Sequence, residues 1–243
     1  QWSLVGSEMC IRDRNISEAL IKLEKFDQAK KYLDRSLSLD GPSPEIYSCL
    51  GNVNFYLEDY STSISFYQKS IKIDQMFKES YFGLGRSLSK LDKWFEAIHF
   101  FKKAYKIDNK NIEYVKSLAY AEFKVGNLVS SIDLYSKAVE MQPDDYKLSL
   151  DFSLIYYESG DIDKAIDIID QAIEESPGES LLYYRLVIYL MDAGRYKESI
   201  NVLESALSLN FDNHDVLFDF VPNFESQSAL IRVINQFKNS GKR

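Results

Sequence analysis

The stretch GLGRSLSK, from Gly83 to Lys90, overlays two patterns that carry chemistry in other proteins. Two glycines spaced one residue apart begin a dinucleotide-binding loop, but the third glycine position is Leu88, and the surrounding apolar spacing is that of a helix interior. Ser87 and Lys90 have the spacing of the nucleophile and lysine of penicillin-interacting enzymes, yet the companion motifs of that chemistry are absent. Cys10 and Cys49 are the two cysteines, and His99 and His214 the two histidines, which is too few soft ligands for a metal site or a disulfide framework. His99 falls beside apolar columns, so a partly buried, hydrogen-bonded ring is expected there. Aspartate and glutamate are spread over outward faces. No catalytic, cofactor or metal constellation emerges, and the chain reads as non-enzymatic.

What would position such residues is clearer. With 243 residues, 45% hydrophobic and 27% charged, the composition is that of an ordinary globular chain. A net charge of -8 disfavours nucleic acid and acidic membrane surfaces, which call for a basic footprint. No apolar run approaches the ~18 residues needed to span a bilayer. Five prolines and ten glycines suit long helices joined by short turns.

The chain repeats itself. LGNVNFYLEDYSTSISFYQKSIKID begins at Leu50 and LGRSLSKLDKWFEAIHFFKKAYKID at Leu84, an offset of 34 residues. In that register, repeats start at Cys10, Pro44, Lys78, Ile112, Tyr146, Ser180 and His214. Position 8 is mostly small (Ser17, Gly51, Gly85, Ala119 and Ser153, then Val187), as are position 20 (Ala29, Ser63, Ala97, Ser131, Ala165, Ser199) and position 27 (Ser36, Ser70, Ala104, Ala138, Ala172, Ala206). Bulky columns alternate with them, including position 24, with Leu33, Tyr67, Phe101, Tyr135, Ile169 and Leu203. Small against large is what two closely crossing helices need. Within one repeat, Tyr81, Leu84, Leu88 and Leu91 and then Trp94, Ile98, Phe101 and Tyr105 fall on helical spacings, giving two helices. Gly126, Gly160 and Gly194 sit where a left-handed helix end is expected. Ser43 before Pro44, and Ser176 before Pro177 with Glu179, read as helix starts.

These columns resemble the tetratricopeptide repeat, a 34-residue helix-turn-helix unit with small residues at positions 8, 20 and 27 and frequent proline at position 32. Pro143 and Pro177 fit that last column, whereas Gly41, Gln75, Asn109 and Phe211 depart from it. The resemblance implies an all-α, right-handed α-solenoid of antiparallel helix pairs, with six repeats over residues 15–213. Residues 214–243 begin a seventh repeat that breaks at Pro222. A terminal helix follows, with Leu230, Val233, Ile234 and Phe237 inward and Arg232, Asn235, Gln236 and Lys238 outward. Residues 1–14 carry no repeat signal, and the DNA that would encode LVGSEMCIRD resembles a transposase end used in sequencing libraries. They are therefore expected to be a non-native scar, with the native start and any upstream segment missing.

The family resemblance also implies that positions 2, 5, 9, 12 and 13 of each first helix line a concave groove that grips a peptide or helix. In the third and fourth repeats these positions include the basic residues Arg86, Lys90, Lys116 and Lys124, with Tyr120 and Phe123 beside them. In the fifth and sixth they include Leu150, Leu154, Tyr157, Tyr184, Ile188 and Met191, an apolar half that either binds a ligand or is covered by the C-terminal helix or a second copy. The family's carboxylate clamp is not met: Lys116 is followed by Tyr120, and Asp151, Leu181 and Arg185 occupy the later positions. The expected function is a scaffold that binds a protein or peptide partner, with no cofactor, a cytoplasmic location and self-association as a further candidate. The alternative is a regulatory or substrate-docking arm of a longer enzyme or sensor.

Overall fold

The structure, a computed structural model, describes residues 12, 15–220 and 227–239. The expected scar, apart from residue 12, and the expected break at Pro222 lie outside the described residues. The chain divides into two compact units, Gln1–Asn127 and Leu128–Arg243. Among the described residues there are helices and turns and no strand.

In the N-terminal unit, residues 15–22 form α1, followed by α2 (Phe26–Asp40), α3 (Pro44–Tyr56), α4 (Tyr60–Ile73), α5 (Lys78–Lys90), α6 (Trp94–Ile107) and α7 (Ile112–Lys124). In the C-terminal unit, α8 (Leu128–Met141), α9 (Tyr146–Glu158), α10 (Ile162–Glu175), α11 (Ser180–Asp192) and α12 (Tyr196–Leu209) precede a 3-10 turn (Phe211–Asp215), α13 (Val216–Phe220) and α14 (Ser228–Asn239). Each unit is an α-solenoid stack of helix pairs. First helices begin at Pro44, Lys78, Ile112, Tyr146 and Ser180, the residues at which the 34-residue register opens each repeat.

The small columns set the packing distance. Ala29, Ser63, Ala97, Ser131, Ala165 and Ser199 are all buried, and each bulky residue of the position 24 column is at most 2% exposed. Serine in a helix core needs a hydrogen bond. Ser63 Oγ donates to Gly51 O at 2.8 Å, Ser87 Oγ to Gly83 O at 2.9 Å, and Ser70 Oγ to Pro44 O at 2.7 Å. Ser63 and Ser70 in these columns, and Ser87 at position 10, therefore find backbone carbonyls of facing or preceding turns, whereas the buried Ser131 Oγ has no hydrogen-bond partner among the described residues.

The turn inside each pair uses one geometry. Glu58 N–H donates to Phe55 O and Asp59 N–H to Asn54 O, and the same two bonds recur at Asp92, Gly126, Gly160 and Gly194. This double bond pattern closes a helix through one left-handed residue. Gly126, Gly160 and Gly194 supply it with φ of 84°, 87° and 75°, as expected; Glu24, Glu58 and Asp92 supply it with φ of 58°, 61° and 58°. Ser43 caps α3 by accepting from Ile46 N–H at 3.2 Å. Ser176 does not start a helix: its N–H instead closes α10 on Ala172 O, and α11 begins only at Ser180. Pro177 and Gly178 form the intervening turn, because a serine before proline ends one helix as readily as it opens another.

At the C-terminal end, Leu230 and Ile234 of α14 are buried, Val233 and Phe237 half-buried, and Arg232, Asn235, Gln236 and Lys238 exposed. This face of α14 packs on α12, and α13 packs on α11.

Candidate functional site

In the N-terminal unit the first helices α1, α3, α5 and α7 line a half-open cavity of about 320 Å³. Its walls include Glu18 and Lys22 of α1, Asn52 and Tyr56 of α3, Phe82 and Arg86 of α5, and Tyr114 of α7. A second cavity of about 360 Å³ lies toward the turns, between Tyr56, Tyr60, Arg86 and Lys90, with Glu58 as its acid. Arg86 and Tyr56 line both cavities.

Arg86 is held by stacking. Its guanidinium carbon lies 4.1 Å from the centre of the Phe55 ring and 5.8 Å from those of Tyr56 and Phe82. A guanidinium on an aromatic face keeps its in-plane N–H fork available for a carboxylate. Lys124 lies over Trp94 and Tyr120, 5.9 and 5.8 Å from their centres, and Trp94 meets Tyr120 edge-on. Among the described residues, Arg86, Lys90 and Lys124 form no ion pair, whereas Lys78, Lys93, Lys102 and Lys116 pair with Asp108, Glu96, Glu122 and Glu113. The expected basic strip thus loses Lys116 to a neighbour on its own helix and keeps three cations on an acidic chain.

Two buried phenols of this region, Tyr67 and Tyr114, are held in the neutral form. Burial drives the Tyr67 phenol well above its ordinary value, with the Arg86 charge a smaller opposing effect. Burial, with Glu79 and Asp108 nearby, raises Tyr114 to about 12.

The expected apolar half is different. Tyr184, Ile188 and Met191 of α11 are 0%, 1% and 4% exposed, in one cluster with Leu217 of α13 and Leu230 and Ile234 of α14. Those three residues are core and present no surface to a ligand, because the segment after α12 folds back on the last pair. Leu150, Leu154 and Tyr157 of α9 remain half-buried. Tyr157 stacks on Tyr189 at 4.7 Å and donates its hydroxyl to Asp192. Burial raises its phenol to about 12, with the Asp192 hydrogen bond and charge adding to the shift. Tyr120 is 40% exposed, Phe123 half-buried and Lys124 exposed. His99 is exposed with its ring edge-on to Phe100, and not partly buried as its neighbours in the pattern suggest. Position 22 follows the buried pair at positions 20 and 21 and turns outward.

Asn52, Tyr56 and Phe55 are among the site residues that the sequence reading passed over, as are Glu18, Lys22, Phe82 and Tyr114; the first three are the ones around Arg86 on α3. They occupy positions 9, 13 and 12 of the second repeat, whose inner face looked unremarkable beside the charged third and fourth. Among the described residues, no group of three or more potential metal ligands occurs and no helix is long and apolar enough to cross a membrane.

The geometry defines a helical-repeat protein with a cavity built from first helices. Two sequence profiles for the tetratricopeptide repeat match residues 122–187 and residues 15–42, 78–111 and 181–213, together well over half of the chain. The chain belongs to the tetratricopeptide repeat family. No curated protein matches it in sequence. Among solved structures it is similar to Pseudomonas aeruginosa pilF, with 13% identity, a TM-score of 0.72, and 92% of this chain and 98% of that one covered. MamA from Desulfovibrio magneticus RS-1 matches at 18% identity and a TM-score of 0.63, over 70% of this chain and 97% of that one. YrrB, described as a TPR protein with an unusual peptide-binding site, matches at 17% identity and 0.60, over 77% and 96%. These likenesses concern the fold. Family and fold together make the chain a protein-interaction scaffold.

Proposed function

We propose that the chain holds an extended, acidic peptide segment of a partner protein in the concave groove formed by the first helices of its N-terminal unit. One observation carries this reading: Arg86, without an acid partner, is laid 4.1 Å over Phe55 where both cavities meet. Keeping a cation fixed and unpaired on a chain of net charge -8 favours a ligand that brings carboxylates. Lys90 and Lys124 extend the same charge along the rim, and Tyr56, Phe82 and Tyr120 offer apolar contact to intervening side chains. The peptide-binding site described for YrrB agrees with this mode of action.

The test is to pan a random 12-residue peptide display library on the intact chain. Enriched peptides should carry Asp or Glu, and their affinity should fall with added salt. Arg86→Glu should weaken the tightest peptide by about tenfold or more, as reversal of an attractive charge does, with an unchanged melting temperature. A library without enrichment, or peptides that bind Arg86→Glu as they bind the wild type, overturns the reading.

A further inference from the structure

The wall of the 320 Å³ cavity contains an amide whose orientation is set from behind. Tyr67 belongs to α4, the second helix of its pair, and is 1% exposed. Its phenol nevertheless crosses the layer of first helices and donates to Asn52 Oδ1 at 2.7 Å. The crossing is possible because two residues there lack side chains. A Cβ on Gly51 would lie 2.6 Å from Tyr67 Cε1, and one on Gly83 would lie 2.2 Å from Cζ and 2.6 Å from the hydroxyl. Gly51 belongs to the same repeat as Tyr67 and Gly83 to the next, so two helices yield space to one ring. Neither glycine needs its backbone freedom, since both lie inside helices with ordinary φ.

The direction of the hydrogen bond matters. The Tyr67 phenol donates to Asn52 Oδ1 and so occupies one of its two lone pairs, which holds the amide with its oxygen toward the phenol and leaves Nδ2, with two N–H donors, unpaired among the described residues. No described residue accepts from Asn52 Nδ2, in contrast to Asn54, whose Nδ2 donates to Leu50 O at 2.7 Å within the helix. Asn52 therefore offers two N–H donors, held by the bond to Tyr67, in the same cavity as Arg86. The complement of a donor pair is an acceptor oxygen, and on an extended peptide the acceptor present at every residue is the main-chain carbonyl.

We propose that Tyr67 is a positioning residue for ligand binding: through the gap at Gly51 and Gly83 it fixes the Asn52 amide so that an Nδ2 N–H donates to a main-chain carbonyl of the bound peptide, while Arg86 takes a carboxylate of the same segment. This rests on the peptide-binding reading above and adds to it that recognition at Asn52 is independent of peptide side chains.

The experiment measures binding of a fluorescein-labelled peptide, the tightest 12-residue sequence from the library, to the intact chain and to three variants: Tyr67→Phe, Asn52→Ala and their combination. Tyr67→Phe retains the ring in its slot and removes only the hydroxyl. Each single change should weaken binding roughly fivefold to tenfold, the scale of one neutral hydrogen bond, and the double variant should be no weaker than Asn52→Ala alone. The side-chain amide NMR signals of Asn52 should shift on adding peptide in the wild type and lose their fixed free-state position in Tyr67→Phe. A purely structural tyrosine would lower the melting temperature and leave peptide affinity unchanged, which overturns the proposal, as does full additivity of the two changes. If Arg86→Glu loses the peptide while Tyr67→Phe and Asn52→Ala retain it, the positioning role fails and the groove reading stands. If all three retain it, both fail.

Discussion

Position 9 of the repeat separates the two units. In the N-terminal unit it is Asn52 and Arg86, half-exposed and facing a cavity; in the C-terminal unit's last pair it is Ile188, 1% exposed. The repeat register gives both the same address, so the address alone does not make a binding surface. What differs is the neighbour on the next step. Arg86 on α5 is followed by another first helix, α7, whereas the α11–α12 pair is followed by a 3-10 turn, the short α13 and then α14, whose apolar side chains join the α11 core. A groove position becomes core when the chain beyond it is too irregular to continue the stack.

The sharpest way to break this comparison is to place a carboxylate at both addresses. Ile188→Asp should cost at least about 4 kcal/mol, because a buried charge without a partner is among the most destabilising changes known. Arg86→Asp should cost less than about 1 kcal/mol. Urea melts of the two variants check this, and equal losses would show that the two inner faces are alike. Next in size, Ala97→Phe and Ala165→Phe, both at position 20 and both fully buried, should each lose about 1 to 3 kcal/mol by overpacking. Similar losses would confine the difference between the units to their inner faces.

A smaller effect separates the turns. Glu58→Gly should gain about 1 kcal/mol, since a residue with a Cβ is strained at φ of 61°, and Gly160→Glu should lose a similar amount at φ of 87°. Thermal melts that moved both variants in one direction would contradict the shared turn geometry. The smallest effect is electrostatic. Hydrogen bonding to Lys78 lowers the Asp108 carboxyl, and hydrogen bonding to Thr62 lowers Asp59. A carboxyl lowered on folding contributes stability above its unfolded value, about 3.9, and loses it as pH falls through the folded value. Asp108→Asn should therefore lose a little stability at pH 7 and converge on the wild type below about pH 4, which flattens the acid limb of the stability curve.

The fold was legible because its determinants recur: the small columns at 20 and 27 and the bulky column at 24 are set by one packing distance repeated at every step. The turns were legible only where glycine marks them. Gly126, Gly160 and Gly194 announce a left-handed residue; Glu24, Glu58 and Asp92 adopt it under the pull of the same two backbone hydrogen bonds, which leave no trace in residue type. Of the site, Arg86, Lys90 and Lys124 could be read because they stand out in charge, while the pairing of Lys116 with Glu113 depends on rotamers. The burial of Tyr184, Ile188 and Met191 depends on residues 211–220 and 230–234, where the repeat pattern stops and columns no longer inform. Asn52 escaped notice because an amide on a helix face is ordinary until the hydroxyl behind it is seen.

The passage of Tyr67 through the gap at Gly83 also fixes where this protein can be cut and moved. A graft bounded by the repeat, Pro44 to Phe77, takes the tyrosine and the asparagine but leaves the second glycine in the donor. Any host whose next helix carries a side chain at that point would push the phenol aside. The portable module is therefore out of frame with the repeat: it runs from Pro44 at least through Arg86, so that an engineer working in 34-residue blocks must transplant two of them to move one amide.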